Sequence, residues 1–481
     1  MEPGLAVRLE DNFKKAKNMK TNALGIIVPA IALALASHCA AADWVLADDL
    51  KTITYKGDWV FNCSGTADRL SIDSIKSHPT EKTDFDFRSL HDDTGATVVA
   101  LGASLFNGNR TSYSGYVTSV ALAPTIETLG SGLLAWMGSC TNFVIPPGSV
   151  LTAFPNSMLE GTGAITIDAT SIPSTITRFG NSCFNGKTLS GTLRIPAGCT
   201  EIGGSAFNRA TLTGEVVFEP GSVCETVGES AFYMAKFSGS GTIAFPASVK
   251  SIGANAFAWS EVKEVSFAEG SLLQSIGMQA FYSVPVKAIS LPSGLTSIGA
   301  SAFYDCGSMS GSVTIPKGVK SLETSTFFAC TGLQEVIFED GCTTIGSDVF
   351  ANCTSITNLV LPRTLKTLSG GVFVGGSGRL AAWQGMKKGD IWWKSAPAIA
   401  DGGNGLFAYC VASNGGKAGA VVNHLSFSKW AAYAAEHPDT FVLPAEKNGT
   451  GTWTTPAAGE TGSSETALAN WEIDPTIVLV R

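Results

Sequence analysis

Charge is scarce in this sequence: only 15% of its 481 residues are Asp, Glu, Lys or Arg, against roughly 25% in an ordinary soluble domain. Lys+Arg 32 against Asp+Glu 40 leaves a net charge of −8, so no positive field exists to attract a nucleic-acid backbone or an anionic lipid surface. Histidine is nearly missing. The five present, His38, His78, His91, His424 and His437, are scattered, and no catalytic constellation can be assembled from them. H-E-x-x-H, G-x-S-x-G and G-x-x-x-x-G-K-[ST] are all absent, which removes the signatures of zinc proteases, serine hydrolases and P-loop enzymes. Among eleven cysteines there is no C-x-x-C pair, so the common zinc and thioredoxin-like readings go as well. The sequence calls for no cofactor and no metal. Carboxylate pairs such as Glu339-Asp340 fall at turns, where solvated charge is the default.

Long apolar runs are lacking too. The clearest one covers residues 23 to 37, fifteen residues, short of the roughly 20 that a helix needs to span a bilayer. Lys14, Lys15, Lys17 and Lys20 precede it and Ala40, Ala41 and Ala42 follow, the layout of a signal peptide cleaved before Asp43. An uncleaved anchor is the alternative. Glu2, Glu10 and Asp11 are foreign to such a leader, and a start at Met19 would remove them. Lipidation at Cys39 would require a small residue where His38 stands. The chain is therefore expected to be secreted or at the cell surface, without a membrane span after cleavage.

Glycine, 53 residues, and phenylalanine, 26, are plentiful, and they recur together. IGGSAF, VGESAF, IGANAF, IGMQAF and IGASAF end at Phe207, Phe232, Phe257, Phe281 and Phe303. Looser copies end at Phe184, Phe327, Phe350 and Phe373, and the loosest at Phe106, Leu134 and Leu159. Twelve copies with a period of about 24 specify a solenoid, because one unit of this size cannot bury its own apolar face. Between copies lie alternating segments: TLRIPAG, EVVFEPG, TIAFPAS, EVSFAEG, AISLPSG, SVTIPKG, EVIFEDG and NLVLPRT. Each is expected to be a short parallel strand. The alternation turns pairs such as Ile243/Phe245, Val265/Phe267, Ile289/Leu291 and Val313/Ile315 inward, while the re-entrant Ile of each I-G returns the chain to the core.

The unit SIGASAFYDCGSMSGSVTIPKGVKSL, residues 297 to 322, resembles the BspA-type leucine-rich repeats of bacterial surface proteins. The resemblance runs from about 100 to 375 and is strong from Phe184 onward. It implies a repeat solenoid, mainly β, right-handed and leucine-rich-repeat-like, with about 12 rungs. It also implies adhesion or protein recognition on extracellular surfaces, without fixing the ligand.

The domains expected are a signal peptide (1–42), an N-terminal cap (43–98), the solenoid (99–376) and a Trp-rich C-terminal α+β module or cap (377–481). Six of the ten tryptophans fall in that last segment. A hairpin around Asn414-Gly415-Gly416 and a short helix capped by Ser428 and stopped by Pro438 are read there.

Two constellations could carry function. The outward strand face presents Glu264 and Ser266, Ala288 and Ser290, Ser312 and Thr314, Glu335 and Ile337, and Asn358 and Val360 on successive rungs. It is a small-residued face of the kind on which repeat proteins recognise partners, or simply a solvated sheet. Cys306, Cys330 and Cys353 stack three residues after the rung Phe as a thiol ladder. Cys199 and Cys224 form a second column near a surface turn and are the better disulfide candidate in an exported protein. The expected function is non-catalytic binding of an extracellular or cell-surface protein or glycan, with no nucleic-acid partner. A passive spacer of the envelope, or an enzyme within 377–481, are the alternatives.

Overall fold

The computed structural model describes residues 42–107 and 115–356, together with 358–362, 364, 367–368, 390–393, 446–447 and 453–454. The expected signal segment, Phe373, and the hairpin and helix of the Trp-rich segment lie outside the described residues. The fold is a mainly β, parallel-stranded solenoid of about ten turns. Among the described residues no helix is long and apolar enough to cross a membrane.

Its continuous spine is a ten-stranded parallel sheet built from two-residue strands: Ala153–Phe154, Arg178–Phe179, Glu201–Ile202, Thr226–Val227, Ser251–Ile252, Ser275–Ile276, Ser297–Ile298, Ser321–Leu322, Thr344–Ile345 and Thr367–Leu368. These are the re-entrant I-G segments. The glycine after the isoleucine has a packing reason. A Cβ on Gly253, Gly277 or Gly299 would meet a backbone nitrogen of the preceding rung at 2.6, 2.5 and 2.4 Å, so only glycine lets the rungs close to hydrogen-bonding distance.

The alternating segments form shorter sheets than expected. Leu193–Ile195 pairs with Val216–Phe218 and Thr242–Phe245 with Glu264–Phe267, while Gly311–Ile315 pairs with Leu333–Phe338, which is followed in the same sheet by Asn358–Leu361 and then Asp390–Trp393. Every rung from Ala153 to Leu368 does give a parallel strand to the spine, but not every alternating segment is one, because residues 288–291 form none. This rung has the shortest spacing, 22 residues between Phe281 and Phe303. Pro285 and Pro292 bracket the segment and offer no N–H to a ladder. Val265 and Phe267 are therefore flanked in register by Ile243 and Phe245 on one side, while Ile289 is buried on the other without being part of a sheet.

The A-F turns are held as tightly as the strands. Asn255, Phe257 and Trp259 donate their amides to the carbonyls of Met278, Ala280 and Tyr282 on the next rung at 2.8, 2.7 and 2.8 Å. The same alternation repeats on other rungs, as at Ser230, Phe232 and Met234. Two positions per turn, two residues before and two after the phenylalanine, sit in the left-handed region: Ser230 and Met234, Asn255 and Trp259, Gln279 and Ser283, Ser301 and Asp305. The result is a buried phenylalanine stack. Phe232, Phe257, Phe281, Phe303 and Phe327 follow one another at 5.1 to 5.4 Å with planes within 9° of parallel.

At the N-terminal end, Trp44–Leu46, Thr52–Tyr55, Trp59–Thr66 and Arg69–Ser77 form an antiparallel meander. Its last strand pairs parallel with Val98–Leu101, which pairs in turn with Thr128–Leu129. The edge of the first turns is thus occupied, which an open solenoid end requires. Trp44, Tyr55, Trp59, Phe61, Phe85 and Phe87 pack beneath it against Phe106.

Candidate functional site

The outward face was expected to carry recognition, and the structure places its residues as alternation demands. Glu264 and Ser266 are exposed on either side of buried Val265, and Ser312 and Thr314 on either side of buried Val313. Register puts Thr242 beside Glu264, Ala244 beside Ser266, Ser312 beside Glu335, and Thr314 beside Ile337. Glu335 and Ile337 are only half-exposed. Ala288 and Ser290 are exposed but lie in the strandless stretch, so the face is two patches joined by an irregular rung. Asn358 and Val360 continue the backbone register from Glu335 and Ile337. Lys287 spans the irregular rung, its Nζ 3.4 Å from Glu264 Oε1, an exposed pair of small energetic consequence. Inward alternation is looser at the strand ends, where Phe218, Phe267 and Leu291 are half-buried rather than enclosed.

The cysteines are structural in their surroundings. Cys306, Cys330 and Cys353 are fully buried, and each Sγ donates to a carbonyl of the preceding rung, those of Phe281, Phe303 and Phe327, at 3.0, 3.0 and 2.9 Å. Burial pushes the Cys306 and Cys330 thiols well up. Cys199 and Cys224 stack in one column as their spacing requires, just after the surface turns at Ala197-Gly198 and Pro220-Gly221, with their side chains turned inward. Both are completely buried, in the corner column that Val249, Leu273, Leu295, Val319 and Cys342 continue. They stand as free thiols, each Sγ directed at a carbonyl two residues on, Glu201 at 3.4 Å and Thr226 at 3.7 Å. Burial pushes their pKa values up to about 11 and about 12.

Two features were not read from the sequence. Lys187 stands three residues after a rung phenylalanine, a position facing inward. It is 4% exposed, and its Nζ donates to the carbonyls of Thr162 and Gly163 at 3.0 and 3.1 Å; burial lowers its pKa. Beside the phenylalanine stack runs a second, half-exposed aromatic row, Tyr233, Trp259, Tyr282, Tyr304 and Phe328. Its signal was available, since four of the five immediately follow a rung phenylalanine. Among the described residues no group of His, Cys, Asp and Glu could hold a metal ion.

A family described as BspA type leucine rich repeat region matches in six copies over residues 108–238, 225–310 and 250–378, more than half of the chain. No curated protein matches it. Solved structures similar to it include a leucine-rich repeat protein from Bacteroides ovatus, with 20% identity, 71% of this chain and 88% of that one covered, and a TM-score of 0.46. The pneumococcal vaccine antigen PcpA matches with 14% identity over 78% of this chain and 97% of its own, TM-score 0.37. A leucine rich cell surface protein from Faecalibacterium prausnitzii matches with 15% identity over 74% and 92%, TM-score 0.31.

Proposed function

The chain belongs to the BspA-type leucine-rich repeat family, and on that premise we propose that it is an exported recognition protein. It binds a protein or glycan at or outside the cell surface and performs no catalysis of its own. The observation that carries this reading is the outward strand face: two patches, each in register with its own neighbouring rungs, that present mostly small side chains to solvent. A repeat array offers such a surface in place of a pocket. Each rung contributes only two small side chains, so binding energy must be spread over Glu264, Ser266, Ala288, Ser290, Ser312, Thr314, Glu335, Ile337, Asn358 and Val360. A face this poor in charge favours neutral or mixed partners over nucleic acid.

In this reading residues 43–98 cap the solenoid, 99–376 recognise the partner, and 377–481 close or extend the other end. Export follows the leader, so N-terminal sequencing of secreted material should begin at or within a few residues of Asp43. Material beginning at Met1 or Met19 contradicts it. The function is tested by passing immobilised chain over arrays of extracellular-matrix proteins and cell-surface glycans. Saturable retention of specific members is expected, and none would be retained by a passive spacer.

A further inference from the structure

The second aromatic row follows one edge of the solenoid, away from the strand face. Its rings are separated by 5.3 Å between Tyr233 and Trp259, 4.8 Å between Trp259 and Tyr282, 4.5 Å between Tyr282 and Tyr304, and 4.6 Å between Tyr304 and Phe328. Four of these residues occupy the position after the rung phenylalanine. On the remaining rung that position holds buried Ala258, and Trp259, one residue further and in the left-handed region, fills the gap. Trp259 is 42% exposed, with Met234 at 38% and Met278 at 51% on the two adjoining rungs.

Within the six turns that carry this row the charges are acidic; the first cation is exposed Arg209, on the rung before Met234, whose amide donates to the Tyr233 carbonyl at 2.7 Å. The turn segments 229–235, 254–260, 278–284, 300–306, 324–330 and 347–353 contain Glu229, Asp305 and Asp348 and not one Lys or Arg. Glu229 and Asp305 are exposed, and the Asp305 carboxylate accepts a hydrogen bond from Ser283 Oγ at 2.9 Å. Lysine stems cover apolar surface readily in water, so an exposed aromatic strip kept free of them has the composition of an interface centre. Trp, Tyr, Phe and Met are enriched there and Lys is depleted.

We propose that this edge, centred on Trp259, is a second docking surface for a protein partner that presents an apolar side chain flanked by Lys or Arg. The apolar group packs against Trp259 and Met234, which share one column two residues after the rung phenylalanine, and the flanking cations meet Glu229 and Asp305 across the rim, the complementarity that selects a partner and its register. A glycan fits less well. Sugars stack on aromatic faces, and the near-parallel rings of Tyr282, Tyr304 and Phe328, within 5° of one another, cover each other's faces and turn their edges outward.

The test selects random heptapeptides displayed on phage against the full chain, and in parallel probes a neutral-glycan array. Enriched peptides are expected to combine an aromatic or aliphatic residue with Lys or Arg. They should bind the Ser290→Arg/Thr314→Arg chain as they bind wild type, and lose about tenfold or more in affinity on Trp259→Ser, the size of loss seen at interface anchors. Asp305→Lys, an exposed change that leaves the ring stack in place, should weaken the same peptides severalfold. Equal binding to wild type, Trp259→Ser and Asp305→Lys, or no enrichment at all, overturns the proposal. Glycan binding that Trp259→Ser abolishes overturns the partner class. The strand-face reading is untouched by either outcome, because its own variant is scored separately.

Discussion

Phe281 and Phe303 lie with ring centroids 5.4 Å apart and planes within 2° of parallel, although they bracket the shortest rung of the series. The turns therefore keep their geometry while the strand side of the rung absorbs the missing residues. Rung-to-rung hydrogen bonds at Gln279, Phe281 and Ser283, reaching the carbonyls of Ala300, Ala302 and Tyr304, fix the turn against that loss. A stack held in this way should be intolerant of gaps. Phe257→Ala, which deletes a fully buried ring contacting Phe232, Phe245 and Phe281, is expected to cost about 3 to 5 kcal/mol in chemical denaturation. A loss under about 1 kcal/mol would mean that the column does not carry the core.

The I-G glycines should be just as sensitive, for a different reason. Gly299→Ala places a Cβ 2.4 Å from the Met278 nitrogen, and backbone on both sides must move, at a cost of about 1 to 3 kcal/mol. Gly294 is the control. Its added Cβ meets nothing nearer than 3.7 Å, so Gly294→Ala should be neutral or stabilise by up to about 1 kcal/mol through the unfolded chain. Equal effects at the two positions would remove close rung approach as the reason for the motif.

Much of this was legible in the sequence, and the failures are instructive. The period and the buried phenylalanines follow directly from the I-G-x-x-A-F copies, because a side chain that recurs every rung must meet its own copies. The location of the continuous sheet does not follow. Strands as short as Ser275–Ile276 are too brief to show alternation, whereas Glu264–Phe267 shows it clearly yet pairs on only one side. Cys199 and Cys224, each three residues before a re-entrant Ile202 or Val227, do follow surface turns, but the corner column they share with Val249 and Leu273 is fully enclosed. Of the candidate face, the exposure of Ser266, Ser312 and Thr314 was readable from period-two patterning. The break at Ala288 and Ser290 had its signals in Pro285, Pro292 and the 22-residue spacing, but period-two patterning alone does not register them.

The thiols offer a direct chemical check. With burial raising the Cys199 and Cys224 pKa values to about 11 and about 12, almost no thiolate exists at pH 8, and alkylation of the native chain should be slow at both. Unfolding without reductant should make both react. Failure to react until a reductant is added would show the pair bridged.

Lys187 should leave a mark at alkaline pH. Burial lowers the pKa of this base in the folded chain, so between its folded value and the ordinary lysine value the unfolded chain binds more protons. Stability attributable to this group therefore rises with pH in that window. Subtracting the pH profile of Lys187→Met from that of wild type, measured by denaturant titration from neutral to alkaline pH, should show the rise. A flat difference would mean that Lys187 is as well solvated as a surface lysine.

The central claim is that the strand face recognises the partner, and the most direct measurement is the affinity of a retained array partner for chains altered on that face. Ser290→Arg together with Thr314→Arg puts two long cations on exposed positions of adjoining rungs. This should reduce affinity by about tenfold or more while leaving the unfolding midpoint unchanged. Arg at the turn residues Ser293 and Lys317 should change it little. Unaltered binding by the strand-face variant, with binding abolished by truncation after Gly376, would contradict the account and make the Trp-rich C-terminal segment the recognition element.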